Sequence, residues 1–197
     1  MPDSSTGRVS ANARQGDLAA VRSHGMKEVV GIDPSLTSTG VATPSGVLAV
    51  SVHSKGVVRL LEMRDAVMGH VAVCDDPLVM LEGYSFSSRN SHAHALGELG
   101  GVFRVALFEF GVPYVEVPPT CRAKFATGRG NAGKGEVMSS VSARTGIAWS
   151  GKGAEDMCDA WVLQEMGLAL LGRARYEWPR ENLAALEKIS LPDISEG

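Results

Sequence analysis

The sequence contains few cysteines and few aromatic residues, and it has no long apolar segment. Only three cysteines occur in 197 residues, widely spaced, and aromatic residues make up 6% of the chain. An odd number of scattered cysteines indicates neither a disulfide framework nor a zinc site and is typical of a reducing compartment. No run of about 18 apolar residues is present, so we expect neither a membrane-spanning helix nor a secretory signal. The sequence predicts a cytoplasmic location.

Neither sign of charge dominates the chain as a whole. Nineteen Lys and Arg residues stand against 22 Asp and Glu residues, and the formal net charge is −3. A net negative charge is unusual for a nucleic-acid-binding protein. The distribution of charge along the chain is more informative than the total. The segment 118–152 holds six cationic residues and one acid, namely Arg122, Lys124, Arg129, Lys134, Arg144, Lys152 and Glu136. The positive charge is therefore local.

The length of the chain predicts one α/β domain with its own core. Residues 1–25 are rich in small and polar side chains and are predicted to form a flexible leader. The domain is predicted to span residues 26–172. Residues 173–197 are mixed in charge and contain two prolines, which predicts a peripheral C-terminal extension.

Apolar periodicity predicts the order of the elements within this domain. A buried strand ends at Asp33 and continues as a meander of two more strands, and another buried strand ends at Glu82. One helical segment is predicted between the meander and the strand that ends at Glu82, and another between that strand and a further short strand. Because a helical crossover joins parallel strands, the strands ending at Asp33 and Glu82 are predicted to be parallel neighbours. A helix begins near residues 118–120, and two more are predicted over 134–145 and 154–171.

Four carboxylates occur at positions that suit a metal ion. Asp33 and Glu82 each end an apolar strand, whereas Asp156 and Asp159 lie three residues apart on one face of a helix. Hard oxygen ligands of this kind suit Mg²⁺ or Mn²⁺ and phosphate chemistry. Glu155 competes with Asp156 for the third position, because it lies one helical turn from Asp159. These residues predict a divalent cation site that acts on a phosphodiester.

Five short motifs, in order, resemble those of RuvC-type Holliday junction resolvases over roughly Glu28 to Leu171. The motifs are GIDP with a following Thr-Gly (Asp33, Thr39, Gly40), the strand end Leu-Glu (Glu82), Arg-Asn-Ser followed by LGELGGV (Arg89 to Val102), the glycine-rich loop from Lys124 to Lys134, and DxxDA (Asp156 to Ala160). Each motif alone is weak, but five in the right order and spacing are specific. The resemblance and the order of elements imply a ribonuclease H-like α/β fold, a mixed sheet flanked by helices.

The resemblance also implies a function. It implies a homodimeric Mg²⁺-dependent endonuclease that resolves Holliday junctions and related branched DNA, in a bacterial or phage-infected bacterial cell. Asp33, Glu82, Asp156 and Asp159 are the catalytic and metal-binding residues that it implies, and it selects Asp156 over Glu155. Two Mg²⁺ ions per site, for which Mn²⁺ substitutes, would support phosphodiester hydrolysis that leaves 5′ phosphates.

Basic and aromatic residues near these motifs are predicted to contact DNA. Lys134 is predicted to contact phosphate and to stabilise charge in the transition state. Backbone contacts are predicted for Lys124, Arg129, Arg122 and Arg89. Related resolvases place an aromatic residue where this chain has Ser85, so the flanking Tyr84 and Phe86 are candidates either for unstacking a base or for packing in the core.

Other interpretations remain open at this point. The helix that contains Gly97, Gly100 and Gly101 is either an ordinary core helix or the contact of a two-fold dimer. A relaxed fork and flap nuclease, or a monomeric YqgF-like nuclease, would carry the same carboxylates. A catalytically silent DNA-binding accessory protein is a third alternative, which the complete carboxylate set argues against.

Overall fold

The computed structural model describes residues 27–83 and 91–192. The predicted flexible leader lies outside these residues, as do Tyr84, Phe86 and Arg89. Within the described ranges, no helix is both long and apolar enough to cross a membrane. The three cysteines are free, as their spacing predicts.

Five strands form one mixed sheet in the order β3-β2-β1-β4-β5. They are β1 Glu28–Asp33, β2 Thr39–Thr43, β3 Gly46–Val50, β4 Pro77–Glu82 and β5 Tyr114–Val117. β1, β2 and β3 form the predicted antiparallel meander. β4 and β5 each follow a helix and pair in parallel, β4 with β1 and β5 with β4. The parallel strands therefore end at one edge of the sheet.

Helices cover both faces of the sheet. They are α1 Gly56–Val71, α2 Ser91–Glu109, α3 Pro119–Thr127, α4 Lys134–Thr145, α5 Ala154–Leu170 and α6 Arg180–Leu183, followed by a 3₁₀ turn at Leu186–Lys188. Because side chains alternate along a strand, neighbouring residues of β1 serve opposite faces. Val30 and Ile32 pack with α1 and α2, whereas Val29 packs with α3, α4 and α5. The domain thus has three layers, with the sheet in the middle.

Helix α5 lies directly on the backbone of β1 and β2. A Cβ atom added at Gly31 would overlap the carbonyl oxygen of Ala160, and one added at Gly40 would overlap that of Asp156. Backbone atoms cannot move aside as a flexible side chain does, so glycine is required at both strand positions. The Gln164 side chain adds a buried hydrogen bond of 2.9 Å from its Nε2 to the carbonyl oxygen of Val29. These contacts fix the position of α5 against the strand that ends at Asp33.

The segment after α5 also packs on the domain. Glu165 of α5 is fully buried and accepts a 2.7 Å bond from Arg175 Nε and a 3.2 Å bond from Trp178 Nε1. The Trp178 ring packs on Phe125 of α3, with ring centroids 4.3 Å apart. Asn182 donates a 2.6 Å bond to the carbonyl oxygen of Phe125. Residues of the predicted peripheral extension therefore contribute to the core, while the predicted division of the chain stays a prediction.

Candidate metal centre

The first two carboxylates meet because β1 and β4 are parallel neighbours. The register between β1 and β4 ends with Ile32 opposite Leu81, so Asp33 and Glu82 come directly after the last pair of these two strands. The loop after Asp33 is closed by Thr39, whose hydroxyl donates a 2.8 Å bond to the carbonyl oxygen of Ser35. The carboxyl edge of the sheet therefore presents two carboxylates side by side, as the strand ends predict.

Helix α5 brings the other two acids to the same edge. Asp159 lies in its second turn and is only 1% exposed, and Asp156 lies in the first turn and is partly buried. Glu155 is exposed and has no hydrogen-bond or ion-pair partner among the described residues. The geometry favours Asp156 over Glu155, although the role of either as a ligand stays a prediction.

Asp33, Glu82 and Asp159 form a compact group. One carboxylate oxygen from each lies within 4.8 Å of the others. Asp33 Oδ2 and Asp159 Oδ2 are buried and accept no hydrogen bond from the described residues. Burying an ionised oxygen without a partner is costly, so a cation at this point would stabilise both groups. The oxygen donors, their spacing and the two buried oxygens that lack a hydrogen bond fit a hard divalent cation.

Burial and mutual repulsion raise the pKa values of these acids. The pKa of Asp33 is raised well above its ordinary value, first by burial and then by the charges of Glu82 and Asp159. Burial also raises the pKa of Asp159, from 3.8 to about 6, although Arg122 and Lys134 oppose the change. Strongly perturbed carboxyl groups in one cluster are typical of functional sites.

Arg122 of α3 lies beneath the carboxylates rather than at the surface. It is 6% exposed, and its Nε donates a 2.7 Å bond to Glu82 Oε2. Its Nη2 lies 3.5 Å from Glu82 Oε1, and its Nη1 donates to Asp159 Oδ1. Burial alone would lower the pKa of this guanidinium, but the surrounding carboxylates outweigh burial and raise it. These partners differ from the DNA phosphates that the sequence predicts for Arg122.

Lys134 approaches the cluster from its open side, at the first residue of α4. Its Nζ lies 2.9 Å from Asp156 Oδ1, 3.5 Å from Asp159 Oδ2 and 3.9 Å from Asp33 Oδ2. Burial lowers the pKa of this amine, but the three carboxylates outweigh burial and raise it, so the amine stays protonated at neutral pH. The side chain is still 46% exposed, so it can reach both the acids and a bound ligand.

The glycine-rich loop joins α3 to α4 beside this lysine. The Thr127 hydroxyl donates a 2.8 Å bond to the carbonyl oxygen of Ala123 and accepts a 3.1 Å bond from the amide of Arg129. The Arg129 guanidinium is exposed and pairs with Glu136. Lys124 is partly exposed, so it and Arg129 remain available at the surface for the predicted DNA contacts. The structure does not place either of them in the carboxylate cluster.

Comparison with known proteins bears on this geometry. No protein-family model matches the chain, and no curated protein matches it either. A structure of Thermus thermophilus RuvC in complex with a Holliday junction substrate is 22% identical, with a TM-score of 0.56, and the match covers 77% of this chain and 99% of that one. A second Thermus thermophilus RuvC structure is 25% identical, with a TM-score of 0.55, and covers 76% and 99%.

The chain has a RuvC-like fold. This result confirms the predicted resemblance and the predicted ribonuclease H-like α/β class. The match takes in nearly the whole length of each RuvC chain.

Sequence reasoning missed two features of the site. The sequence predicts Arg122 at the DNA surface with the other cations of its segment, and no local pattern marks it as buried. Gly31 and Gly40 belong to the GIDP and Thr-Gly motifs, and the structure shows that the lack of a side chain at each admits α5. A glycine inside each of two predicted strands was the available signal, since such a residue often marks close backbone approach.

Proposed function

We propose that the chain is a structure-selective DNA endonuclease that resolves Holliday junctions and related branched DNA. The observation that supports this most is the buried group of Asp33, Glu82 and Asp159 at the carboxyl edge of a RuvC-like sheet. The Thermus thermophilus neighbour is in complex with a Holliday junction substrate, which suggests four-way DNA as the substrate here. A bacterial or phage-infected cytoplasm is the proposed location.

The proposed chemistry is hydrolysis of a phosphodiester bond that leaves a 5′ phosphate. Mg²⁺, or Mn²⁺ in its place, would be held by Asp33, Glu82 and Asp159, with Asp156 completing the set. In two-ion sites such cations stabilise the attacking and the leaving oxygen of an in-line displacement. Asp33, Glu82 and Asp159 each offer one oxygen within 4.8 Å of the others, so all three could hold such a cation.

Lys134 is proposed to act on charge rather than to remove a proton. Its raised pKa keeps the amine protonated at neutral pH, so it cannot accept a proton from water. A protonated amine 2.9 to 3.9 Å from three carboxylates can instead turn toward a phosphate oxygen as negative charge develops. This role explains why a partly exposed lysine lies over the acids.

A cleavage assay on synthetic DNA tests this proposal. Four-way, fork, flap and linear substrates are incubated with Mg²⁺, and we expect products from the four-way junction first. Asp33→Asn, Glu82→Gln and Asp159→Asn should each remove most cleavage while junction binding is kept, because the basic surface is unchanged. Asp65→Asn, at an exposed position of α1, is the matched control and should cleave normally.

Three outcomes decide between the proposal and its alternatives. Substantial cleavage in excess EDTA contradicts a metal-dependent mechanism. Equal cleavage of forks, flaps and four-way junctions favours the relaxed nuclease. Junction binding without cleavage under all divalent cations favours a silent accessory protein.

We also propose that the chain works as a homodimer through α2. A Cβ added at Gly100 would meet no described atom within 4 Å, so packing within the chain does not require glycine there. Gly101, Val105 and Phe108 follow at helical spacing on one face, and Phe108 is 83% exposed. A second copy would cover this face and present two sites to the two symmetric strands of a junction.

Light scattering tests the dimer. We expect about twice 20.7 kDa for the wild type and a monomer for Phe108→Glu. Val73→Glu is the control, because Val73 is equally exposed but lies between α1 and β4. A wild-type monomer that junction DNA leaves unchanged favours the monomeric YqgF-like alternative.

A further inference from the structure

Arg122 occupies the side of the cluster that a metal ion would otherwise share. Its guanidinium contacts both oxygens of Glu82, at 2.7 and 3.5 Å, and it also donates to Asp159 Oδ1. Glu82 therefore has both oxygens turned to an arginine. A planar fork with five donors suits this arrangement, and an arginine cannot lose its charge in a protein.

The remaining oxygens lie on the opposite side of the cluster. Asp159 Oδ2 and Asp33 Oδ2 are buried and accept no hydrogen bond from the described residues. Both face Lys134, whose Nζ lies 3.5 and 3.9 Å away. The carboxylate oxygens are thus divided between a pair that faces the Lys134 amine without a hydrogen bond and a set that the guanidinium engages.

The charges of the cluster agree with this division. The four carboxylates carry four negative charges when ionised, and Arg122 and Lys134 offset two of them. One divalent cation would neutralise the remainder. A second would leave two net positive charges, against one in the absence of Arg122. It would also have to draw Glu82 away from the guanidinium, and breaking a buried ion pair is strongly unfavourable.

We propose that Arg122 takes the place of one metal ion in the DNA-free protein, which therefore binds a single divalent cation beside Asp33 and Asp159. The inference rests on the proposed metal-dependent function and concerns the protein before DNA adds its own phosphate charge. Arg122 is proposed as a positioning residue, because it holds Glu82 and Asp159 in place through its hydrogen bonds. It also keeps the acids together before any metal binds.

Counting bound Mn²⁺ tests the inference directly. The DNA-free wild type is titrated with Mn²⁺ by calorimetry, and free Mn²⁺ is followed by electron paramagnetic resonance. We expect one ion per chain for the wild type and two for Arg122→Gln, since the variant frees the oxygens of Glu82. Two ions in the wild type, or one ion with unchanged affinity in Arg122→Gln, would overturn the proposal.

A matched variant separates this role from ordinary structural support. Arg175 also pairs with a fully buried carboxylate, Glu165, at 2.7 Å, but it lies away from the cluster. Both Arg122→Gln and Arg175→Gln should melt at lower temperature in EDTA. Mn²⁺ should restore most of the loss in Arg122→Gln, whereas in Arg175→Gln it should add only the increment seen for the wild type. Equal responses of the two variants to Mn²⁺ contradict the proposal.

The remaining outcomes are also decisive. If Arg122→Gln does not fold, Arg122→Lys keeps the charge and should still bind one ion, and the wild-type count alone supports or overturns the inference. If the wild type binds no divalent cation with or without junction DNA, the proposed function itself fails. If it binds two without DNA and cleaves normally, only the inference about Arg122 fails.

Discussion

Raising the pH in the absence of metal is expected to destabilise the folded chain, because buried carboxylates must then ionise. Burial raises the pKa of Asp159 from 3.8 to about 6, and that of Asp33 is raised in the same direction. Between pH 3.8 and about 6 the folded state binds more protons at Asp159 than the unfolded state does, so the free energy of unfolding falls as pH rises. The contribution is fully present below about pH 4 and is lost as pH passes about 6.

The size of the effect follows from the shift at Asp159. A shift from 3.8 to about 6 corresponds to about 3 kcal/mol in the free energy of unfolding. About 1.4 kcal/mol of this should be lost between roughly pH 5 and pH 7.5, with Asp33 adding to it in the same direction. For a chain of this length the loss lowers the melting temperature by about 3–5 °C.

Urea denaturation in EDTA at the two pH values measures this difference. Asp159→Asn should remove the part of the pH dependence that Asp159 contributes, about 1.4 kcal/mol, and leave the part due to Asp33, because the amide keeps an oxygen for Arg122 but does not titrate. Asp65→Asn should leave it unchanged, since Asp65 is exposed. Excess Mg²⁺ should stabilise the wild type more near pH 7.5 than near pH 5. A metal-free wild type whose stability rises with pH over this range would refute the reasoning.

Three further predictions concern the glycines, the two cations and the buried glutamate. Gly31→Ala should cost about 1–3 kcal/mol of stability by displacing α5. Gly69→Ala in α1, outside the proposed dimer contact, should instead be neutral or stabilising in urea denaturation, because its Cβ would meet open space. Lys134→Ala should slow cleavage at saturating DNA. Arg129→Ala should weaken binding alone, and the slope of log binding constant against log salt concentration should flatten by about 0.9. Equal losses of binding in both variants, with no change in cleavage rate, would contradict this assignment of Lys134. Glu165→Gln should lower the free energy of unfolding by about 1–3 kcal/mol, because Arg175 loses a buried carboxylate, and should leave the cleavage rate of the surviving folded protein unchanged.

Much of the fold was predictable because it depends on local periodicity. Apolar runs marked the strands that end at Asp33 and Glu82, and parallel strand ends must meet at one edge of a sheet. The 3.6-residue period predicted α4 over 134–145 and α5 over 154–171, and the structure gives Lys134–Thr145 and Ala154–Leu170. The same reasoning predicted that four acids meet at this edge. The structure places oxygens of Asp33, Glu82 and Asp159 within 4.8 Å of one another, and the fourth acid, Asp156, contacts Lys134 beside them.

The remaining features depend on how distant segments pack, and local sequence does not encode that. Arg122 and Lys124 are both basic residues of α3, and their types do not distinguish them. The packing of the helix buries Arg122 under the carboxylates and leaves Lys124 near the surface. Glu165 is likewise one polar residue in a mostly apolar helix, and nothing nearby in the sequence indicates its partner. Trp178, thirteen residues later, donates a hydrogen bond to it. A buried charge is recognised only when its partner is known.

The contact of α5 with the bare backbone of β1 and β2 bears on how such chains diverge. The separation between this helix and the sheet is set by main-chain atoms, so exchange of core side chains does not change it. Exchange of core side chains therefore leaves the spacing of Asp33 and Asp159 unchanged, whereas any side chain at Gly31 or Gly40 would push the helix away from the sheet and alter that spacing. Divergence of this sequence is thus expected to spare these two glycines along with the acids whose separation they set.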